Sequence, residues 1–265
     1  MSTPSPALTA AQIEQFIVEG FVRLDQAFPA DIADECRAIL WADTGCDPAD
    51  PTTWTRPVIR LGEYYQAPFR AAANTPILHA AFDQIVGPGR WQPRHGLGTF
   101  PVRFPALDDP GDAGWHIDPG FGWDENPADF LAWRTNLASR GRALLMLFLL
   151  SEVGPHDAPT RIRVASHLDI ARQLAPFGDD GLSLRELAAD DFAGTSHCRE
   201  ALATGAAGTV YLCHPFLVHG AQKHHGDRVR FMAQPPLLPA EPLRLDRSDE
   251  PHSPVEQAIR RALGR

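Results

Sequence analysis

The period of the apolar positions changes once along this chain, near residue 90. Before that point the spacing is mostly helical. Thr9 and Gln12 form a capping-box pattern ahead of Ile13, Phe16 and Ile17, which share one helix face, and Gly20 is placed to close the helix. Phe21-Val22-Arg23-Leu24 alternates like a short strand. A second helix is expected after Pro29, carrying Ile32, Cys36 and Ile39-Leu40, and a third from Thr75 to Val86, stopped by Gly87-Pro88-Gly89. Residues 44 to 60 are read as a loop, and the first eight residues, rich in Ser, Pro and Ala, as a frayed terminus.

From Trp91 onward, short apolar or alternating runs are separated by Gly, Pro, Asp and Asn clusters, the pattern of a sandwich, barrel or jelly roll. Strands are expected near 97 to 104, 114 to 118, 142 to 150, 160 to 164, 208 to 213, 216 to 219 and 228 to 237. Residues 167 to 192 are expected to be partly helical. The interval 119 to 139 carries Trp123, Phe130 and Trp133 and is too long for a turn, so it reads as a lid. The fold class is therefore mainly β with flanking helices. One domain is expected over residues 1 to 265: a mostly helical elaboration (1 to 90), a jelly-roll core (91 to 240) and a C-terminal tail (241 to 265).

Composition narrows the partners. With 24 basic against 33 acidic residues the net charge is -9, which argues against a phosphate-backbone partner. The four cysteines include no C-x-x-C pair, and no basic segment leads into an apolar one at the start, so a cytoplasmic protein with reduced thiols is expected. The strongly apolar run Ala143 to Leu150 is far short of the roughly 20 residues that span a bilayer. A small-molecule substrate, without nucleic acid or membrane, is the expectation.

In Gly114-Trp115-His116-Ile117-Asp118 an imidazole and a carboxylate stand at i and i+2, which a strand turns to one face. Alone, such a pair is a weak signal and more readily a loop histidine bonded to its neighbouring carboxylate. Here it lies where a strand opens into the long loop, and a second, distant histidine would complete a 2-His-1-carboxylate facial triad. His219 ends an apolar strand at Gly220 and is the candidate. His214 precedes Pro215 and would face the opposite way on one continuous strand, while His224 and His225 read as a solvated turn. His214, His219 and His224 form an alternative, zinc-type set. Arg228 and Arg230 share one strand face, and a bidentate guanidinium suits the distal carboxylate of an α-keto-acid cosubstrate. Trp115, Trp123, Phe130 and Trp133 either cover a pocket or pack in the core.

These residues carry a resemblance to the phytanoyl-CoA dioxygenase family of Fe(II)/2-oxoglutarate-dependent oxygenases. Its carriers are Leu8-Thr9-x-x-Gln12 followed by Gly20-Phe21-Val22, then Trp115-His116-Ile117-Asp118, Ser166-His167, and His219-Gly220 with Arg230 eleven residues beyond His219. The resemblance implies a double-stranded β-helix, a cupin-like jelly roll, with Fe(II) on His116, Asp118 and His219. It implies the 2-oxoglutarate carboxylate on Arg230, Thr99 as a second cosubstrate contact, and no catalytic residue beyond the metal ligands. The implied reaction consumes O2 and hydroxylates, or otherwise oxidises at a C–H bond, a small-molecule metabolite. Asp118 favours oxygenation, since related halogenases replace this carboxylate with a small residue. The chain departs from the family at Val164-Ala165, where Pro-Gly is usual, and at Arg161 and Arg163, which are expected either to meet an anionic substrate or to pair with Asp157 or Glu152. The alternatives are a cupin-like metal-dependent dioxygenase or isomerase that does not use 2-oxoglutarate, and a non-catalytic β-barrel binding protein.

Overall fold

A computed structural model describes residues 7–106, 108–248 and 250–265. The frayed terminus expected for 1–6 lies outside them. Leu8, by contrast, is buried: its N–H donates to Gln84 Oε1 at 2.9 Å and its carbonyl accepts from Gln84 Nε2 at 2.8 Å.

The helices are α1 (Ala10–Glu19), α2 (Ala30–Thr44), α3 (Ala67–Ala73), α4 (Pro76–Ile85), α5 (Ser166–Leu174), α6 (Leu184–Leu187) and α7 (Pro254–Ala262). The strands are β1 (Phe21–Leu24), β2 (Val58–Leu61), β3 (Phe100–Arg103), β4 (Trp115–His116), β5 (Arg134–Thr135), β6 (Leu144–Leu149), β7 (Arg161–Arg163), β8 (Leu182–Ser183), β9 (Glu200–Leu202), β10 (Val210–Cys213), β11 (His219–Gly220), β12 (Met232–Ala233) and β13 (Pro236–Leu237). One antiparallel sheet runs β1-β10-β6-β12, with β13 also on β6; a second runs β4-β11-β7-β9. β2 pairs with β3, and β5 with β8.

The continuous apolar run of β6 is explained by burial on both faces. Leu144, Met146 and Phe148 join the larger core with Phe16, Phe28, Leu40 and Phe82 beneath the helices. Leu145, Leu147 and Leu149 turn the other way, onto Ile162, Val164, Leu217 and Met232 between the two sheets. The alternation continues in β10, where Val210 and Leu212 face the helices and Tyr211 and Cys213 face the second sheet. Each such side chain contributes about 1.5–3 kcal/mol when fully buried.

The capping box of α1 is formed, with Gln12 N–H on Thr9 Oγ1 at 3.3 Å and Thr9 N–H on Gln12 Oε1 at 2.9 Å. Gly20 closes the helix at φ 85°, and a Cβ there would meet His167 Nδ1 at 2.4 Å. Left-handed backbone and close approach both demand glycine.

Most strands are shorter than alternation predicts. The stretch 228–237 breaks because Pro235 and Pro236 donate no ladder bond; only β12 and β13 remain, with an isolated bridge between Arg230 and Arg103. The expected strand 216–219 is replaced by a turn at Pro215-Phe216, closed by Leu217 N–H on the His214 carbonyl at 3.0 Å, and irregular chain up to Val218. The loop expected over 44–60 holds the start of β2, and the tail expected over 241–265 holds α7, which packs on α1 and α5. Cys36, Cys46, Cys198 and Cys213 are free thiols. Among the described residues no helix is long and apolar enough to cross a membrane.

Candidate metal centre and adjoining cavity

β11 lies between β4 and β7, and its register sets His219 directly opposite His116. The two rings stand 4.3 Å apart between centroids. His116 Nδ1 is 3.2 Å from the Gly114 carbonyl and His219 Nδ1 is 3.0 Å from the Leu217 carbonyl. With each Nδ1–H donating to its carbonyl, both Nε2 lone pairs are left open. Asp118, on the same face as His116, places Oδ1 3.9 Å from His219 Nε2 and Oδ2 3.3 Å from Arg142 Nη1. One donor atom from each of the three residues lies within 4.8 Å of the others.

The electrostatics suit a cation. Burial, reinforced by His116, pushes His219 down to about 4, so its imidazole is neutral at pH 7. Burial pushes Asp118 upward, but Arg142, His219 and His116 outweigh it and hold the carboxyl below its ordinary value. Two imidazoles and one carboxylate form the donor set of a 2-His-1-carboxylate centre. Bonds of about 2.1 Å set adjacent donors roughly 3 Å apart, so modest side-chain adjustment brings the three onto one ion.

A cavity of about 680 Å³ opens from these residues. His116, Asp118 and Trp115 line it together with Thr99, Arg103 and Arg230. Arg230 is almost completely buried; it donates to the Ala158 carbonyl and, at 3.2 Å, to the Pro101 carbonyl, while Nε has no partner. Burial and the neighbouring Arg103 push its pKa well below the usual arginine value, a strain that a bound anion would relieve. Arg228 is half-exposed and paired outside the cavity, with Glu152 at 2.6 Å and Asp157 at 2.8 Å. A second cavity of about 420 Å³ shares Thr99, Asp118, Phe130 and Gln234 with the first and adds Arg94 and Arg142.

Other expectations need correction. Arg161 and Arg163 pair with neither Asp157 nor Glu152: both guanidiniums stack on Trp115, at 4.3 and 4.2 Å from the ring centre. Arg161 also donates to the Ala113 carbonyl at 2.6 Å, and Arg163 to Thr195 Oγ1 at 2.8 Å. His224 is buried instead of solvated, its Nδ1 accepting from Gly226 N–H at 3.1 Å. His214 is also buried, its Nε2 3.2 Å from the Val255 carbonyl, and the set His214, His219 and His224 does not converge. Among the described residues the other metal-capable group is Asp169, His197 and Cys198, where Asp169 is already paired with Arg172 at 2.7 Å. Phe130 and Trp115 line the cavity, whereas Trp123 packs against Trp133 at 6.3 Å.

Ser166 and His167 act behind the site. Ser166 Oγ accepts from Val218 N–H at 2.9 Å, fixing the residue before His219, and His167 Nε2 is 3.1 Å from the Ile17 carbonyl. Arg142, Arg103 and Asp112 emerge only in three dimensions. Arg103 donates to Asp112 at 2.7 Å, and Arg60 pairs with the same carboxylate. The one sequence sign of Arg142 is a charge set directly before the apolar run of β6.

No protein-family model matches the chain, and no curated protein matches it in sequence. Solved structures do. HygX from Streptomyces hygroscopicus, with nickel and 2-oxoglutarate bound, superposes with a TM-score of 0.54 at 18% identity, over 86% of this chain and 85% of that one. EctD from S. alaskensis, with 2-oxoglutarate and 5-hydroxyectoine, gives 0.52 at 20% identity, over 88% and 77%. SnoK, a non-heme α-ketoglutarate-dependent carbocyclase from nogalamycin biosynthesis, gives 0.56 at 15% identity, over 91% and 89%. The architecture is thus the helix-flanked jelly roll of these proteins.

Proposed function

We propose that this protein is an Fe(II)- and 2-oxoglutarate-dependent oxygenase that oxidises a C–H bond of a small molecule, in the simplest case by hydroxylation. The observation that carries this reading is the convergence of His116, Asp118 and His219, the first two lining one cavity with the buried, incompletely satisfied guanidinium of Arg230. The ligands of the structural neighbours, nickel with 2-oxoglutarate in HygX and 2-oxoglutarate in EctD, support it. Within this reading the chain is a one-domain, cytoplasmic relative of the phytanoyl-CoA dioxygenases, and its substrate is neither nucleic acid nor lipid bilayer.

When bound, Fe(II) and 2-oxoglutarate supply the oxidising chemistry: O2 is consumed, the keto acid is decarboxylated to succinate, and the substrate is oxidised. The chain's own residues hold and orient. His116, Asp118 and His219 would hold the metal, and the Gly114 and Leu217 carbonyls fix the imidazole tautomers that make this possible. Arg230 receives the distal carboxylate of the keto acid, with its fork already aimed by the Pro101 and Ala158 carbonyls. The Thr99 hydroxyl offers a second contact to the same molecule. Trp115, held under Arg161 and Arg163, and Phe130 keep water from the reacting end.

Succinate release from 2-oxoglutarate, measured aerobically with and without Fe(II), tests the proposal. Iron-dependent succinate is expected from the native chain, and none from His116→Ala. Turnover retained in that variant would overturn the metal assignment. A native protein that binds iron yet neither consumes 2-oxoglutarate nor gains stability from it is instead the cupin-like dioxygenase or isomerase.

A further inference from the structure

We propose that the cavity receives an anionic small molecule, and that Arg142 holds its carboxylate, or a group of like charge, beside Asp118. The inference rests on the oxygenase reading and adds the substrate class.

Arg142 stands just before β6 with its side chain only 13% exposed. Among the described residues its single ionic partner is Asp118, at 3.3 Å. Nε and Nη1 are shielded from solvent and have no hydrogen-bond acceptor. Apart from Arg230, the other arginines around the two cavities are better served. Arg94 pairs with Glu63 and donates to the Gly96 and Pro236 carbonyls at 3.0 and 2.7 Å, and Arg60 and Arg103 share Asp112.

Charge then decides what is missing. Five arginines (Arg60, Arg94, Arg103, Arg142 and Arg230) line the joined cavities against three carboxylates (Glu63, Asp112 and Asp118), although the whole chain carries -9. Were a divalent cation held at Asp118 Oδ1, the carboxylate whose Oδ2 faces Arg142 would serve two cations at once. A dianionic keto acid would answer the metal and Arg230, which lines the larger cavity, whereas Arg142 lines the smaller one. Arg142 would be left with only a share of Asp118. A buried guanidinium without a counter-charge is costly, and an anionic ligand removes that cost. The surroundings fit such a ligand: the Gln234 amide is adjacent for a second hydrogen bond, and Phe130, Pro236 and Leu238 provide an apolar wall for its body. The shared walls at Thr99 and Asp118 place the bound molecule next to the metal, where a substrate must lie.

The test uses protein loaded anaerobically with Fe(II) and 2-oxoglutarate, whose visible charge-transfer band reports the chelated keto acid independently of turnover. Butyrate, butyramide and butylamine are titrated as near-isosteric probes, and perturbation of the band is followed. Butyrate is expected to bind at least about tenfold more tightly than either neutral or cationic probe. Arg142→Met is expected to keep the band and lose that preference, and Arg142→Lys to restore part of it. Equal binding of the three probes, or a preference unchanged in Arg142→Met, overturns the subsite; the second result would mean that butyrate coordinates iron directly. If the band never forms in the native protein, the oxygenase reading itself fails. If it forms without a butyrate advantage, only the subsite fails.

Discussion

Asp118 is shared between two demands, an ion pair with Arg142 and a place in the donor set with His116 and His219. Replacing any of the three donors by alanine is expected to abolish iron-dependent succinate formation while leaving the circular-dichroism spectrum native. Arg230→Lys separates charge from geometry, because it keeps a cation but loses the planar fork. Loss of a charge-assisted hydrogen bond of about 1.5–3 kcal/mol predicts a rise of roughly ten- to a hundredfold in the KM for 2-oxoglutarate. An unchanged KM would remove Arg230 from the cosubstrate site. Strand periodicity brought His116, Asp118 and His219 forward as candidates and the family resemblance added Arg230; the structure brings the first three together and sets Arg230 in the adjoining cavity wall. Arg142 was not legible in the sequence, since nothing in the order of residues ties it to a carboxylate 24 positions earlier. His224 misled for a related reason: polar neighbours suggest solvent, but the turn that carries it folds inward.

Among the elements, β6 and α7 mark the two extremes of legibility. The apolar run of β6 announces a buried strand, and its alternation assigns each side chain to one of two cores. Leu147→Ala, on the inter-sheet face, is expected to lower unfolding free energy by about 2–5 kcal/mol in urea titration. α7 carries the same capping pattern as α1, Ser253 with Glu256 plus Pro254 in the first turn, but it sits among proline and charged residues that suggest a tail. Its anchor is Glu256, fully buried, which accepts from Arg247 at 2.9 Å and from Arg90, Arg244 N–H and Ser253 N–H. Burial pushes this carboxyl up, but Arg90 and the two backbone donors outweigh it and hold it at about 2 against an ordinary 4.5. Because the folded value is depressed, the contribution is complete above pH 4.5 and is lost as pH falls toward 2. Glu256→Gln should therefore flatten the acid limb of the stability curve in that window, an effect on the order of 3 kcal/mol in the native chain. The brevity of β4, β11 and β12 has a different cause, since proline and turn bonds end these ladders before the apolar pattern does.

The whole molecule carries a second acid sensitivity at higher pH. Burial pushes His167 down to about 4 and His214 well below its ordinary 6.5, where α1, α5 and α7 meet. Both histidines fold as neutral groups, so stability is full above pH 6.5 and declines as the unfolded chain takes up protons below it. Thermal melts should show this decline between pH 6.5 and 4, ahead of the Glu256 step. At fixed pH, 2-oxoglutarate with Mn(II) should raise the melting temperature through linkage, by about 2.7 kcal/mol of stability at a hundredfold excess over Kd. No shift would count against the cosubstrate.

Opposition of His116 and His219 on a single rung has a practical consequence. β11 is only two residues long, clasped by β4 and β7 and tethered through Val218 to Ser166. Sliding it by one residue would turn the His219 ring to the opposite face, dismantle the donor set and displace Leu217 and Val218, which sit in the two cores. Metal affinity is therefore a gauge of strand alignment. A remote substitution that weakens iron binding more than it lowers the melting temperature reports a slipped rung, and Ser166→Ala is the first place to look for one.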